Sequence, residues 1–229
     1  MAKDRTHARR LAQESLQRGD AVGWFEKLYA YVFLVSTGLA DMIVNPRLTS
    51  WLAHNKLSGA GRRALIVGCG LGDDAEELAR LGFAVVAFDV SATAIAWCRR
   101  RFPHSTVEYC AADLLVSPQE WVAAFDFVLE VNTLQVLPPN LRQIAIVQMA
   151  RCVVPGGTLL VIARGRDPSD DPGAMPWPLT KEEMAAFQIL GLDETRFEDF
   201  LDDEMPPVRR FRVEYRRRVE TDGERRVGS

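Results

Sequence analysis

Cysteine and histidine are scarce in this sequence, with four of the first and three of the second in 229 residues. Cys69, Cys98, Cys110 and Cys152 are scattered with no C-x-x-C pair, so neither a zinc site nor a disulfide framework is suggested. Reduced, mostly buried thiols and no metal are expected. Long hydrophobic runs are also missing. The most apolar stretch, LYAYVFLVSTGLA at residues 28–40, falls short of the ~20 residues a membrane-spanning helix needs. It reads as a core or lid helix, and no membrane partner is expected. Residues 1–20 are charged and lack the apolar core of a secretory signal, while Asp4 and Glu14 argue against an acid-poor organelle presequence. A cytoplasmic protein is expected. Neither sign of charge is in large excess. The net charge of -3 gives no general attraction for nucleic acid, and the locally basic VRRFRVEYRRRVE reads as a solvated strand face.

What is present is an alternation. Short β-rich runs at residues 64–67, 84–88, 106–109, 125–131 and 158–163 are separated by helical patterns at 74–81, 92–102, 118–124 and 140–153. This is the pattern of a mostly parallel, doubly wound sheet with helices on both faces. PGG, residues 155–157, turns the last of these helices into the fifth strand. One domain is expected for this length, in three parts. Residues 1–60 form a helical extension or lid, 61–164 the core, and 165–229 a Pro- and Asp-rich loop followed by edge strands. Thr180 with Glu183 makes a capping box, and ETRFEDF and VRRFRVEYRRR read as two strands of an antiparallel hairpin.

The first β run enters a glycine turn, VGCGLGDD. In open sheets of this kind ligands sit beyond the strand carboxyl ends, and glycines there let the backbone approach a ligand closely. Gly68, Gly70 and Gly72 are spaced G-x-G-x-G, and Asp73 stands where a dinucleotide motif has its third glycine. A dinucleotide puts its pyrophosphate on the helix N-terminus, where Asp73 and Asp74 add like charge. S-adenosylmethionine (SAM) carries no phosphate and is cationic, so it tolerates those acids; capping of the helix is their alternative role. Asp89 ends the second β run about twenty residues after the first glycine, where a carboxylate can accept both ribose hydroxyls. Ser91 is the better cap for the helix that follows. After the third run, Asp113 can accept an adenine amino group while Ala112 and Leu114 offer backbone and apolar contacts, or Asp113 can cap a turn.

Through VGCGLG, AFDVS, AADLL and FDFVLEVNTLQVLPP, residues 64–163 resemble the class I SAM-dependent methyltransferases. The resemblance implies a Rossmann-like fold whose seven-stranded, mostly parallel sheet has an antiparallel last strand. It also implies SAM as cofactor, lying across Gly68, Cys69, Gly70, Gly72 and Asp73, then Asp89 and Val90, Asp113, and Glu130 with Val131 at the end of the fourth strand. WFEKLYA, NPRLTSWL and VGCGLGDDAEELARLGF look like the thiopurine and thiol S-methyltransferase branch, which implies that Trp24 covers the cofactor. Members of that branch often carry a Pro-Trp pair before the Asn-Pro, where Gly38 and Leu39 stand here.

Methyl transfer from a sulfonium is an in-line displacement, so the protein contributes mainly positioning and exclusion of water. His7, His54 and His104 lie outside the crevice segments, which favours a thiol, the acceptor least in need of a base. Tyr29 and Glu130 are the candidate bases, and Asn132, with Gln135, a candidate to orient the acceptor. A ring of Trp24 or Phe25 can close over the sulfonium, Trp177 is a pocket-wall candidate, and Trp51, Trp97 and Trp121 read as core. The expected activity is direct in-line SAM-dependent methylation of a small molecule, a thiol or other soft nucleophile, by a monomer or homodimer. A small-molecule O- or N-methyltransferase and a non-catalytic SAM-binding module are the alternatives.

Overall fold

The computed structural model describes residues 2–35 and 42–219, so Gly38 and Leu39 lie outside the described residues. Seven strands form one sheet: β1 (Arg63–Val67), β2 (Ala84–Asp89), β3 (Glu108–Ala111), β4 (Phe125–Val131), β5 (Val153–Arg164), β6 (Leu192–Leu201) and β7 (Arg209–Arg217). Their order is β3-β2-β1-β4-β5-β7-β6. The first five are parallel, and β7 pairs antiparallel with both β5 and β6. The expected Rossmann-like sheet with its antiparallel last strand is therefore present.

The central strands are apolar almost throughout because both faces are covered. Ala64 and Ile66 face the cluster of α3 (Pro46–Asn55), α4 (Asp73–Arg80) and α5 (Ala92–Arg101), through Trp51, Leu78 and Ile95. Leu65 and Val67 face the other way, towards Trp121, Met149 of α6 (Pro139–Cys152) and Phe187 of α7 (Lys181–Ile189). The capping box of α7 is present, with Glu183 N donating to Thr180 Oγ1 at 3.2 Å and Thr180 N to Glu183 Oε2 at 2.8 Å. Trp51 and Trp121 are core as expected, but Trp97 is half-buried under the Arg100 guanidinium. Cys98 and Cys152 are buried, and Cys69 and Cys110 only half-buried, so "mostly buried" overstates the thiols.

Three boundaries differ from expectation. β3 starts two residues late because Val107 N donates to Ser105 Oγ at 3.0 Å, which holds that segment in a turn. The helix expected at 118–124 is only a 3₁₀ turn, Gln119–Trp121. Ala123 takes φ +47° there, and the N–H groups of Ala123 and Ala124 donate to Arg151 and Cys152 carbonyls. β5 begins before PGG, at Val153 opposite Phe125, with a register shift where the strand resumes.

Two further helices, α1 (Ala2–Gln17) and α2 (Trp24–Val35), pack over the carboxyl end of the sheet. Leu11, Trp24 and Met175 make a separate small core there, with Phe25, Leu28 and Trp177 against it. Arg9 Nε donates to the Met175 carbonyl at 2.7 Å, tying α1 to the loop after β5. No helix among the described residues is long and apolar enough to cross a membrane.

Candidate active site

The turn after β1 is approached closely from two sides, which is why glycines occupy it. Gly68 and Gly70 have φ of +62° and +54°. A Cβ on Gly68 would stand 2.5 Å from Thr133 Oγ1, and one on Gly70 3.0 Å from the Tyr29 hydroxyl. Gly72 precedes α4 without a side-chain cap.

Asp73 does not cap α4 either. Its two oxygens accept from Arg101 Nη1 and Nη2 at 2.7 Å each, and Arg101 Nη1 also donates to the Leu71 carbonyl. This corrects the reading of Asp73 as an acid that repels phosphate. A guanidinium 28 residues away neutralises it, so its charge alone does not discriminate between cofactors. Asp74 accepts from Asn45 N at 2.7 Å, and burial pushes its carboxyl up to about 6.

Asp89 is 5% exposed at the end of β2. Gly70 N donates to its Oδ2 at 3.0 Å and Ser91 N to its Oδ1 at 2.9 Å. Burial nevertheless pushes the carboxyl up to about 6. Ser91 caps α5 as expected, its Oγ accepting from Ala94 N at 3.1 Å, so Asp89 is not needed for that role. Asp113 Oδ1 accepts from Leu115 N at 2.9 Å, capping the 3₁₀ turn Leu114–Val116.

Two adjoining cavities lie over these strand ends. The larger, about 320 Å³, is mainly apolar and is lined by Asp89, Val90, Ala112, Asp113 and Leu114 below and by Trp24, Phe25, Leu28 and Met175 above. The smaller, about 190 Å³ and more polar, is lined by Cys69, Gly70, Gly72, Asp73, Asp74 and Arg47. Tyr29, Val67, Gly68, Val131 and Asn132 line both, and so mark the junction. None of the three histidines lines either cavity.

Three expected residues stand apart. Glu130 is 0% exposed and lines neither cavity. Its Oε1 accepts from Thr133 N and Leu134 N at 2.5 and 3.0 Å, which commits the carboxylate to the turn after β4, while Oε2 has no partner among the described residues. Burial pushes it up to about 7. Gln135 accepts from Arg164 N at 2.7 Å, bridging to the end of β5. Trp177 packs against the small core of Leu11, Trp24 and Met175, and its neighbours Met175 and Pro176 form the wall instead. Tyr29 is at the junction, but desolvation and then the charge of Asp89 push its hydroxyl well above the usual phenol range. It stays a phenol.

Sequence reasoning missed Glu26 and Arg210. Glu26, on α2, accepts from Ser91 Oγ at 2.6 Å, from Thr93 N at 3.2 Å and from Thr93 Oγ1. Arg210, on β7, donates to Asn132 Oδ1 at 3.2 Å. These partners lie 65, 67 and 78 residues apart, and no local pattern marks them.

Residues 64–157 match the family model described as a methyltransferase domain. Over those residues the chain is similar to a methyltransferase domain. With it come the enzyme class and the cofactor, S-adenosyl-L-methionine. No curated protein matches the chain. Among solved structures, the 1,6-didemethyltoxoflavin-N1-methyltransferase of Burkholderia thailandensis is 18% identical with a TM-score of 0.65, covering 85% of this chain and 86% of its own. The N-methyltransferase NodS of Bradyrhizobium japonicum, in complex with S-adenosyl-L-homocysteine, is 18% identical with a TM-score of 0.62, over 75% and 84%. A structure described by the conversion of a disulfide bond into a thioacetal group in echinomycin biosynthesis is 20% identical with a TM-score of 0.64, over 81% and 86%. At these identities the likeness is one of fold. None of these three is described as a thiopurine or thiol S-methyltransferase, so that branch is not confirmed.

Proposed function

We propose that the protein transfers the methyl group of SAM to the sulfur of a small thiol held at the junction of the two cavities. The cofactor fits the residues present. The buried Asp89 carboxylate would take the ribose hydroxyls, Ala112, Asp113 and Leu114 the adenine, and the turn from Gly68 to Asp73 the amino-acid end. When bound there, SAM supplies an electrophilic methyl group on a sulfonium. Trp24, Phe25 and Met175 exclude water from the larger cavity, and Trp24 and Phe25, stacked with centroids 3.9 Å apart, supply π faces for a cation.

The observation that carries the sulfur assignment is Tyr29. The junction is roofed by a phenol that burial and Asp89 keep protonated, and Glu130 lines neither cavity, so neither takes a proton there. A thiol ionises near pH ~8.5 and brings an appreciable thiolate fraction of its own. The echinomycin-pathway structure shares this fold, and its name concerns chemistry at sulfur.

One feature favours transfer to oxygen or nitrogen instead: Asp74 lines the polar cavity with a carboxyl raised to about 6, a fair value for a base near neutrality. Product formation across matched thiol, phenol and amine acceptors at several pH values separates the two. Transfer to the thiol, with a rate that rises with thiolate fraction and levels off near the thiol's own pKa, supports sulfur. Turnover of the phenol or amine alone, with loss of rate in Asp74→Asn, supports the second reading. No turnover at all with SAM bound supports a non-catalytic module.

A further inference from the structure

We infer that Asn132, oriented by Arg210, is an acceptor-binding residue that selects substrates carrying a hydrogen-bond-accepting atom close to the nucleophile. The inference rests on the small-molecule methyl transfer proposed above and narrows its substrate class.

Asn132 follows β4 with φ +65°, a left-handed conformation that asparagine accepts more readily than most residues. Its backbone N–H donates to the Ile162 carbonyl at 2.9 Å, so the turn is fixed at the sheet. Asn132 lines both cavities, and Arg210 lines neither. Arginine has only donors, so the amide atom facing it is the oxygen. With Oδ1 held by Arg210, which lines neither cavity, the NH₂ has no partner among the described residues, and it is assigned to the cavity side.

Arg210 is itself held hard. It is 4% exposed, its Nε donates to Asp202 Oδ2 at 2.7 Å, and its Nη2 donates to Glu204 Oε1 at 2.6 Å. Arg47, which lines the smaller cavity, shares both carboxylates from the other side. The ion network therefore fixes the guanidinium, the guanidinium fixes the amide, and the amide offers a donor only. A substrate carbonyl, ether or ring nitrogen beside the nucleophile satisfies that donor. An apolar chain in the same place leaves it unpaired and desolvated.

The test uses the full chain and two thiols of equal length, methyl 3-mercaptopropionate and pentane-1-thiol. The expected result is a preference for the ester of about fivefold in kcat/KM, carried by KM, as one hydrogen bond provides. Asn132→Ala, and Asn132→Asp, which keeps the volume but removes the donor, should bring the two thiols to near equality while S-adenosylhomocysteine affinity stays within about twofold. Arg210→Gln should lower the discrimination, and Arg210→Lys should restore part of it, a rescue that a merely structural residue would not give. If Arg210 variants do not fold, the Asn132 variants still decide. Unchanged discrimination in Asn132→Ala, or none in the wild type, overturns the inference. Should no thiol turn over, the same pair is titrated into the S-adenosylhomocysteine complex. An ester preference lost in Asn132→Ala upholds the donor while the sulfur reading fails; equal affinities overturn the donor.

Discussion

Ser91 joins Glu26 of α2 to the end of β2: its Oγ donates to Glu26 Oε2 at 2.6 Å while its backbone N–H donates to Asp89 Oδ1 at 2.9 Å. Helix α2 therefore rests on the same residue that orients the carboxylate proposed to take the ribose. Burial opposes the Glu26 charge, yet hydrogen bonds from Ser91 and Thr93 at the α5 N-terminus hold its carboxyl below the usual range. Glu26→Ala should speed hydrogen exchange in residues 24–31 and weaken S-adenosylhomocysteine binding by about tenfold, with Glu26→Gln intermediate. Unchanged exchange and affinity would make the contact incidental.

Asp73 and Arg101 should behave as a coupled pair. Both side chains are largely shielded, at 15% and 16% exposed, and the geometry is bidentate. Arg101→Met leaves the Asp73 charge unpaired and should cost about 1–3 kcal/mol of stability, part of which Asp73→Asn should restore in the double variant. Urea unfolding of the four proteins measures the coupling, and additive effects would count against it.

Glu130 should matter for stability more than for chemistry. Its carboxyl is raised from 4.5 to about 7 by burial, so its contribution to folding is full below about pH 4.5 and declines as pH rises through 7. Glu130→Gln keeps the acceptor for Thr133 and Leu134 and removes that buried charge. Its stability advantage over wild type should therefore grow by up to about 3 kcal/mol between pH 5 and pH 8, with methyl transfer retained. A pH-independent difference, or lost turnover with intact cofactor binding, would return Glu130 to the list of bases.

Cofactor affinity should itself depend on pH through Asp89. A carboxyl raised to about 6 is increasingly protonated below that pH and loses acceptor capacity for ribose hydroxyls. S-adenosylhomocysteine binding should weaken as pH falls from 7 to 5 in the wild type, and this dependence should flatten in Asp89→Asn. An equal slope in both would place the titrating group elsewhere.

Much of this architecture was legible in the sequence because it is written locally. The run that ends at Gly68 and the run that ends at Asp89 are contiguous apolar segments, and the strand-end rule then places Asp89, Asp113 and Asn132 together. The helix over the strand ends was legible from Trp24, Phe25 and Tyr29 clustered ahead of β1. The polar partnerships were not, since Glu26 with Ser91, Asp73 with Arg101 and Arg210 with Asn132 are made only when helices and the hairpin dock. Glu130 was misread for a related reason. Its strand position fits a cofactor contact, but its carboxylate is bound by the turn three and four residues on.

The central claim is that this crevice holds SAM through Asp89, and calorimetric titration of S-adenosylhomocysteine tests it most directly. The wild type should bind it, NADH should not compete, and Asp89→Ala should weaken binding at least about tenfold while remaining folded, because hydrogen bonds to a charged acceptor are lost. A folded Asp89→Ala protein that binds as tightly as wild type, or tight NADH binding by the wild type, would contradict it.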